Sequence, residues 1–284
     1  MNIRWQLIWT VSVSMLFLGG VSLSAQEPAG QTPDKDKDNP NATALVIPTS
    51  PPKTATTTAV VKKPTAPKHV AILKDAKVHT GMLTVYQKGT KLYAEFSDSD
   101  YSSEYIVLIS IAKGIGRHPI LGGYSWSDGD DWVWKFRKID DRVHVIRKNV
   151  RFKAKDGYPE QIAVGNAFTD SVLFSLRIVT KGPKGGDLVD LTPVFMSDLP
   201  QIGRVLPGFS FSSDRSTWAK VKAFPKNLEL EVAATYSSSG RSNLETVADS
   251  RAVTIHVHYS ISKLQSTGYV PRMADDRVGY FMTV

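Results

Sequence analysis

The sequence predicts a β-rich α+β fold in which antiparallel sheets are built from hairpins, with one or two short helices and a disordered tether in front. In several segments apolar and polar residues alternate with a period of two, which is typical of a strand with one buried face. These segments are neighbours around short turns and do not alternate with long helices, which favours antiparallel pairing. No repeat of fixed period is visible among the 284 residues.

Two hairpins and one central strand are predicted in the first half of the folded part. Each hairpin has alternating arms around a short turn, Lys88-Gly89-Thr90 in one and Ile139-Asp140-Asp141 in the other. A continuous apolar run between the hairpins is closed by Gly114 and is expected to be a strand covered on both faces. The segments are 81–86 with 91–96, 104–111 for the central strand, and 131–138 with 142–148.

The second half mixes helical and strand patterns. Residues 161–178 carry both patterns and are predicted to be a short helix that runs into a strand. Ser213 or Asp214 can cap a short helix that continues through Val221 and ends before Pro225. Two segments that alternate regularly are expected to be long strands that pair with each other, 227–236 and 251–260.

The first 68 residues are expected to precede the folded part. Residues 1–25 have the layout of an export signal, with Arg4, an apolar core and a small-residue run that ends at Ala25, where cleavage is expected. The apolar core is shorter than the roughly 20 residues of a membrane span, which disfavours the alternative of an uncleaved anchor. Residues 26–68 are rich in Pro, Thr and Lys and lack aromatic residues, which predicts a disordered linker.

An exported protein is therefore expected, in the periplasm, at the cell surface or outside the cell. The chain has no cysteine, so it can form no disulfide and carry no lipid on a cysteine. Its net charge of +8 suits anionic partners such as cell-envelope polymers. Nucleic acid is not expected as a partner, and no membrane contact is expected once the signal is removed.

The second predicted hairpin offers a candidate ligand face. Trp132 and Trp134 lie beside Lys135 and Arg137, and aromatic and cationic side chains together can bind an anionic glycan or protein. A solvated sheet face is the alternative. Further basic residues continue the set, namely Lys138, Arg142, Arg147, Lys148, Arg151, Lys153 and Lys155.

Two histidines are candidate metal ligands. His256 and His258 are one residue apart, so on a strand both rings leave the same face, as two ligands of one metal would. None of the other histidines has a helpful spacing, which favours polar-face histidines over a metal site.

Several blocks of the sequence resemble, in the same order, the N-terminal modules of unknown function in a family of secreted bacterial zinc-dependent metalloproteases. The last block, Pro271-Arg-Met-Ala-Asp-Asp-Arg-Val-Gly-Tyr-Phe281, is similar to the junction that precedes the catalytic domain in that family. The resemblance implies a small leading module at 69–97 and a main domain of unknown function at 98–284. The blocks include Lys77–Tyr86, Leu108–Gly114, Ala167–Leu173, Val189–Asp198, Val221–Asn227 and Gly268–Phe281, the last of which contains the junction run from Pro271.

The resemblance implies a non-catalytic part of an enzyme. A protease of this type needs His-Glu-x-x-His to bind zinc and activate water, and the run does not occur in this sequence. No catalytic, cofactor-binding or metal-ligating residue is therefore expected in this chain, and the zinc belongs to the full-length family. Because the chain stops three residues after Phe281, it is expected to be either a truncated gene product or a stand-alone module.

The expected task is to pack against, help fold or restrain a metalloprotease catalytic domain, in cis or in trans. A sharper version has Asp275 or Asp276 bind the partner's zinc. The alternative is a stand-alone module that binds a cell-envelope glycan or protein through the aromatic and basic strand face. The expected partner contact consists of Pro271, Arg272, Asp275, Asp276, Arg277, Tyr280 and Phe281.

Overall fold

The alternation of apolar and polar residues along the chain produces a large curved sheet. A computed structural model describes residues 66–126, 132–238, 244–265 and 268, and within these ranges twelve strands form one antiparallel sheet. All of them belong to one compact unit, residues 61–284. The β-rich, antiparallel fold predicted from the sequence is thereby confirmed.

The strands are β1 Lys77–His79, β2 Thr84–Lys88, β3 Lys91–Phe96, β4 Glu104–Lys113, β5 Trp132–Ile139, β6 Arg142–Arg147, β7 Ser171–Lys181, β8 Asp187–Asp190, β9 Phe209–Phe211, β10 Thr217–Ala223, β11 Asn227–Ser238 and β12 Ala252–Lys263. The α-helices are α1 Lys68–Ile72, α2 Asp98–Tyr101, α3 Pro159–Ala167 and α4 Thr192–Phe195. Two short 3-10 helices span Ile202–Val205 and Ser213–Arg215.

The strand order is β1-β2-β3-β8-β7-β6-β5-β4-β12-β11-β10, with β9 added beside β11. The two ends of this order lie close to each other. The Met82 N–H donates to the Phe224 carbonyl oxygen at 2.7 Å, and the Trp218 Nε1–H donates to the Thr90 carbonyl oxygen at 2.9 Å. Gly81 permits the approach, because a Cβ there would lie 2.5 Å from the Phe224 oxygen. The sheet therefore curls over one interior.

Among the described residues, that interior holds a hydrophobic cluster to which strands from both ends of the sheet contribute. The Phe195 ring links the two sides, with its centroid 6.2 Å from that of Trp134 and 5.1 Å from that of Tyr259. Burying each large apolar side chain contributes about 1.5–3 kcal/mol, so the aromatic centre is a major source of stability. The largest fully buried side chains include Trp134, Tyr105, Tyr236, Tyr259, Phe96 and Phe195.

Most predicted elements are confirmed. The hairpins β2–β3 and β5–β6 form, helix α3 is followed by strand β7, and β11 pairs with β12 along its whole length. The strands β1 to β3 join the rest of the sheet through the pairing of β3 with β8.

The helix predicted from Ser213 or Asp214 through Val221 is wrong, because strand β10 occupies most of this segment. The register of β10 against β11 shifts between Trp218 and Lys220, as at a β-bulge. The bulge puts Trp218 and Val221, three residues apart, on the core side, and this spacing imitates that of a helix.

The prediction that residues 104–111 are covered on both faces is also wrong. Strand β4 is central, between β5 and β12, but its residues alternate between buried and more exposed positions. Leu108, on the outer face, is 44% exposed. Apolar side chains on the outer face gave the segment its continuous apolar character.

The predicted export signal and almost all of the predicted linker lie outside the described residues. In the part of the chain that the structure describes, no helix is long and apolar enough to cross a membrane.

Candidate functional site

The aromatic row of β5 points into the core. The Trp134 side chain is 1% exposed, and the Phe136 ring packs against Phe96 with a centroid separation of 4.8 Å. The prediction that Trp134 belongs to a surface ligand face is therefore wrong. The alternation of the strand puts Lys135 and Arg137 on the side opposite to Trp134. The predicted ligand face therefore combined residues from the two opposite sides of strand β5.

Trp132, at the start of β5, is only partly buried and contacts a neighbouring cation. The Arg147 guanidinium carbon lies 4.3 Å from the centroid of the Trp132 ring, a cation–π geometry. The structure thus brings Trp132 together with Arg147 of the next strand, and not with Lys135 or Arg137. The predicted partner contact, Pro271, Arg272, Asp275, Asp276, Arg277, Tyr280 and Phe281, lies outside the described residues.

The connection from β6 to β7 is the most exposed apolar part of the described chain. Residues 152–168, which we name the α3 arm, lead out of the sheet, form helix α3 and return. Helix α3 buries none of its side chains, and Ile162 at its centre is 71% exposed. Large apolar side chains that are exposed in or beside the arm are Phe152, Tyr158, Ile162, Phe168 and Val172.

Local contacts give the α3 arm its shape without a core of its own. The Phe152 and Phe168 rings stack at its base, with centroids 3.8 Å apart and planes 10° apart. Pro159 stands in the first turn of the helix, where its missing N–H costs no hydrogen bond. The Gln161 side chain donates to Asp156 Oδ1 at 2.8 Å and accepts the Gly157 N–H at 3.1 Å.

A cleft of about 280 Å³ lies between the sheet and the base of the α3 arm. Its walls are the two chain segments that leave β6 and enter β7. We name it the basic cleft, because three of its lining side chains are cationic and none is acidic. It is lined by Arg147, Lys148, Asn149, Val150, Arg151, Thr169 and Ser171.

Hydrogen bonds fix the walls of the basic cleft. Two carboxylates flank it: Glu104 Oε1 accepts from Lys148 Nζ at 2.5 Å, and Asp170 Oδ1 accepts the Asn149 N–H at 2.9 Å. The second contact ties one wall to the other. Glu104 therefore neutralises the charge of Lys148.

The two histidines of β12 are paired with glutamates of β11. His256 Nδ1 lies 2.8 Å from Glu231 Oε1, and His258 Nε2 lies 2.7 Å from Glu229 Oε2. The hydrogen bond from Lys220, with a further one from His256, holds the pKa of Glu231 below its usual value despite partial desolvation. We name this set the His–Glu ladder.

Among the residues that can be described, no three His, Asp or Glu side chains are grouped so that they could hold a metal ion. Each histidine of the His–Glu ladder pairs with its own glutamate, so the ladder is not a convergent donor set of the kind that zinc needs.

Two half-buried or buried carboxylates were missed by sequence reasoning, and both hold the fold together. Asp198 accepts the Tyr236 hydroxyl and two backbone N–H groups of the following 3-10 helix. Asp187 pairs with Lys138 and Lys181, and these hydrogen bonds lower its pKa although desolvation, the largest single contribution, raises it. No local sequence pattern marks these contacts, because they join distant segments.

Comparison with known proteins gives a family without an assigned activity. A model described as a domain of unknown function, DUF5118, matches residues 67–114, and a second, DUF5117, matches residues 127–284. These matches confirm the prediction that the chain consists of domains of unknown function. No curated protein and no solved structure matches the chain. Because its match covers more than half of the sequence, the chain belongs to the family described as domain of unknown function DUF5117.

Proposed function

We propose that this chain is an exported, non-catalytic module that docks onto the catalytic domain of a zinc-dependent metalloprotease, in cis or in trans, and packs against or restrains it. The exposed apolar side chains of the α3 arm are the observation that supports docking. The metalloprotease as the partner rests on the resemblance of the sequence blocks from Lys77 to Phe281.

Exposed apolar surface on the α3 arm costs free energy that a partner would recover. Burying apolar surface yields about 25 cal/mol per Å², and a contiguous exposed apolar patch marks an interaction site more often than isolated apolar residues do. Helix α3 has nine residues, fewer than the roughly 12–15 at which a free helix becomes marginally stable in water. A partner surface over Ile162 would therefore stabilise both the helix and the complex.

The α3 arm itself carries no net charge, because Lys153 and Lys155 are balanced by Asp156 and Glu160. Side chains of either sign on a partner can therefore pair with the polar groups beside the exposed apolar side chains.

The last described strand ends next to the same region. The Leu264 N–H donates to the Glu104 carbonyl oxygen at 2.8 Å, and the Glu104 carboxylate pairs with Lys148 of the basic cleft. A partner on the α3 arm would thus be close to the point from which the chain continues toward Pro271 and Phe281, the contact expected from the sequence.

The proposal is tested by titrating a purified metalloprotease catalytic domain of this family with the mature chain and measuring Kd by surface plasmon resonance. We expect a complex that Ile162→Asp weakens by about tenfold or more, because a carboxylate in a buried apolar contact must be desolvated. Val78→Asp is the matched control, since Val78 is 54% exposed on edge strand β1, and it should change Kd by less than about twofold. If no complex forms at tens of micromolar, the proposal fails.

A further inference from the structure

We propose that the first half of strand β7 binds an extended peptide segment of a partner protein as an added strand, with acidic side chains at the outward positions of that peptide. Residues 171–176, which we name the β7 edge, carry this site. The inference rests on the edge of the sheet and does not depend on docking of the α3 arm. The chain would then have a peptide-binding site of its own.

Strand β7 extends beyond one of its two neighbours. On one side β6 pairs with residues 171–177, whereas on the other side β8 pairs with residues 178–181 only. β8 stops where the chain turns into helix α4, whose Pro193 has no N–H with which to continue a ladder. As far as the structure describes the chain, the β7 edge therefore has a neighbouring strand on one side only.

The free side of the β7 edge offers backbone hydrogen-bonding groups. A strand with one free side presents a row of N–H and C=O groups, and an extended peptide can pair with such a row. Leu173 is the extra residue of a bulge and lies opposite no residue of β6. Arg142 Nη1 donates to the Ser175 carbonyl oxygen at 3.3 Å, and that oxygen has a second lone pair for an incoming N–H. The ligand that matches this row is itself an extended backbone.

The β7 edge lacks the side chains that usually keep an edge strand from pairing with another chain. Its sequence, Ser171-Val-Leu-Phe-Ser-Leu176, contains neither proline nor a charged residue. Val172 is 56% exposed, and Leu173 and Phe174 pack against the core while they remain only partly buried. Apolar side chains of an added strand would cover these residues and extend the core.

The charge beside the β7 edge favours an acidic peptide. Arg142 of β6 lies directly opposite Arg177 of β7. Asp141 Oδ2 is 3.4 Å from Arg177 Nε and offsets one of these two positive charges. An acidic side chain at an outward position of the added strand would offset the other, because opposite charges on neighbouring strands attract each other.

Isothermal titration calorimetry on the whole mature chain tests the proposal with short blocked peptides. The probe alternates valine with glutamate over about seven residues, the length of a typical strand. One control peptide has lysine in place of glutamate, and another carries N-methyl groups on the central residues of the probe. We expect submillimolar binding of the probe, about fivefold weaker binding of the lysine peptide and at least about tenfold weaker binding of the N-methylated peptide. If the probe does not bind at about 1 mM, or if the N-methylated peptide binds as tightly, the proposal is overturned. Equal binding of the lysine peptide would overturn the preference for acidic side chains.

Variants locate the site. Val172→Asp should weaken binding of the probe by about tenfold, because the carboxylate repels the glutamates and loses water under an added strand. Val179→Asp is the matched control, since Val179 is 38% exposed on the same strand but lies in the half that pairs with β8, and it should change Kd by less than about threefold. Equal losses in the two variants would show a nonspecific charge effect and would overturn the site. Unchanged thermal unfolding of each variant checks that its fold is intact.

Two measurements on the wild-type chain complete the test. The probe should slow amide hydrogen exchange within residues 171–176 and leave residues 178–181 unchanged, and protection that appears only elsewhere would overturn the site. Sedimentation velocity should show a monomer. A dimer that Val172→Asp dissociates would mean that a second copy of the chain occupies the β7 edge, and the assignment of a partner peptide would be overturned.

Discussion

The His–Glu ladder and the α3 arm both lie outside the hydrophobic core, yet they differ in whether their side chains have partners within the chain. In the ladder the polar groups find partners on neighbouring strands, as His256 does with Glu231 and Ser260 with Glu229 at 2.8 Å. In the arm, apolar groups such as Ile162 contact no core. Paired polar groups stabilise the chain by itself, whereas unpartnered apolar groups gain stability only from a second molecule.

This difference explains why a cluster of chemically reactive residue types is not the best candidate site here. Histidine and glutamate are candidate metal ligands and catalytic residues in any sequence, but in this fold they link strand β11 to strand β12. Isoleucine and phenylalanine suggest no chemistry in a sequence, yet on the α3 arm they form an exposed apolar surface. Mutations in the two regions should therefore separate stability from binding.

A large loss of stability is expected on the β11 side, from a change at Asp198. Its carboxylate accepts the Tyr236 hydroxyl at 2.7 Å, the Ile202 N–H at 2.8 Å and the Gly203 N–H at 2.9 Å. Asp198→Ala leaves three donors without an acceptor, so we expect the free energy of unfolding to fall by about 3 kcal/mol, measured by urea denaturation. Tyr236→Phe removes one of the three bonds and should cost about 1 kcal/mol. A loss below about 1 kcal/mol in Asp198→Ala would contradict the assigned structural role.

A smaller effect is expected from acid, again on the ladder side. Because Lys220 and His256 lower the pKa of Glu231 below its unfolded value of 4.5, the ionised carboxylate contributes stability above pH 4.5. This contribution is lost as the pH falls through the lower, folded pKa. Glu231→Gln should therefore reduce stability at pH 7 and flatten the decline that sets in as the pH falls below about 5, as followed by urea denaturation at each pH. Parallel pH profiles for the variant and the wild-type chain would contradict this linkage.

The same two regions show how far sequence reasoning reaches. The strict alternation in 227–236 and 251–260 was sufficient to predict β11, β12 and their pairing, because a two-residue period reports burial of one face. It could not place β10, because the bulge after Trp218 breaks the period and imitates a helix. Helix α3 was predicted, but a helix without an amphipathic pattern gives no sign of what it packs against.

The candidate site was predicted only in part, because it depends on tertiary contacts that no local sequence pattern shows. The basic residues Arg147, Lys148 and Arg151 were recognised as a set, whereas the cleft depends on how the ends of β6 and β7 diverge before Phe152 and Phe168 stack. Trp134 was assigned to the surface because its neighbours are basic. Trp134 is buried because its ring packs against two others. Phe195 comes from helix α4, and Phe136 is the next inward-facing residue of β5.

The smallest expected effect on stability is in the α3 arm, and it is the sharpest test of the contrast with the ladder. Ile162→Ala removes a large apolar side chain, which in a core would cost about 2–5 kcal/mol. Because Ile162 is 71% exposed, we expect the free energy of unfolding to change by less than about 0.5 kcal/mol in urea denaturation. Ile255→Ala in β12 is the matched control, since that side chain is fully buried and should show the full core cost. A loss above about 1 kcal/mol in Ile162→Ala would mean that the arm packs against part of this chain, and the apolar surface would then already have its partner.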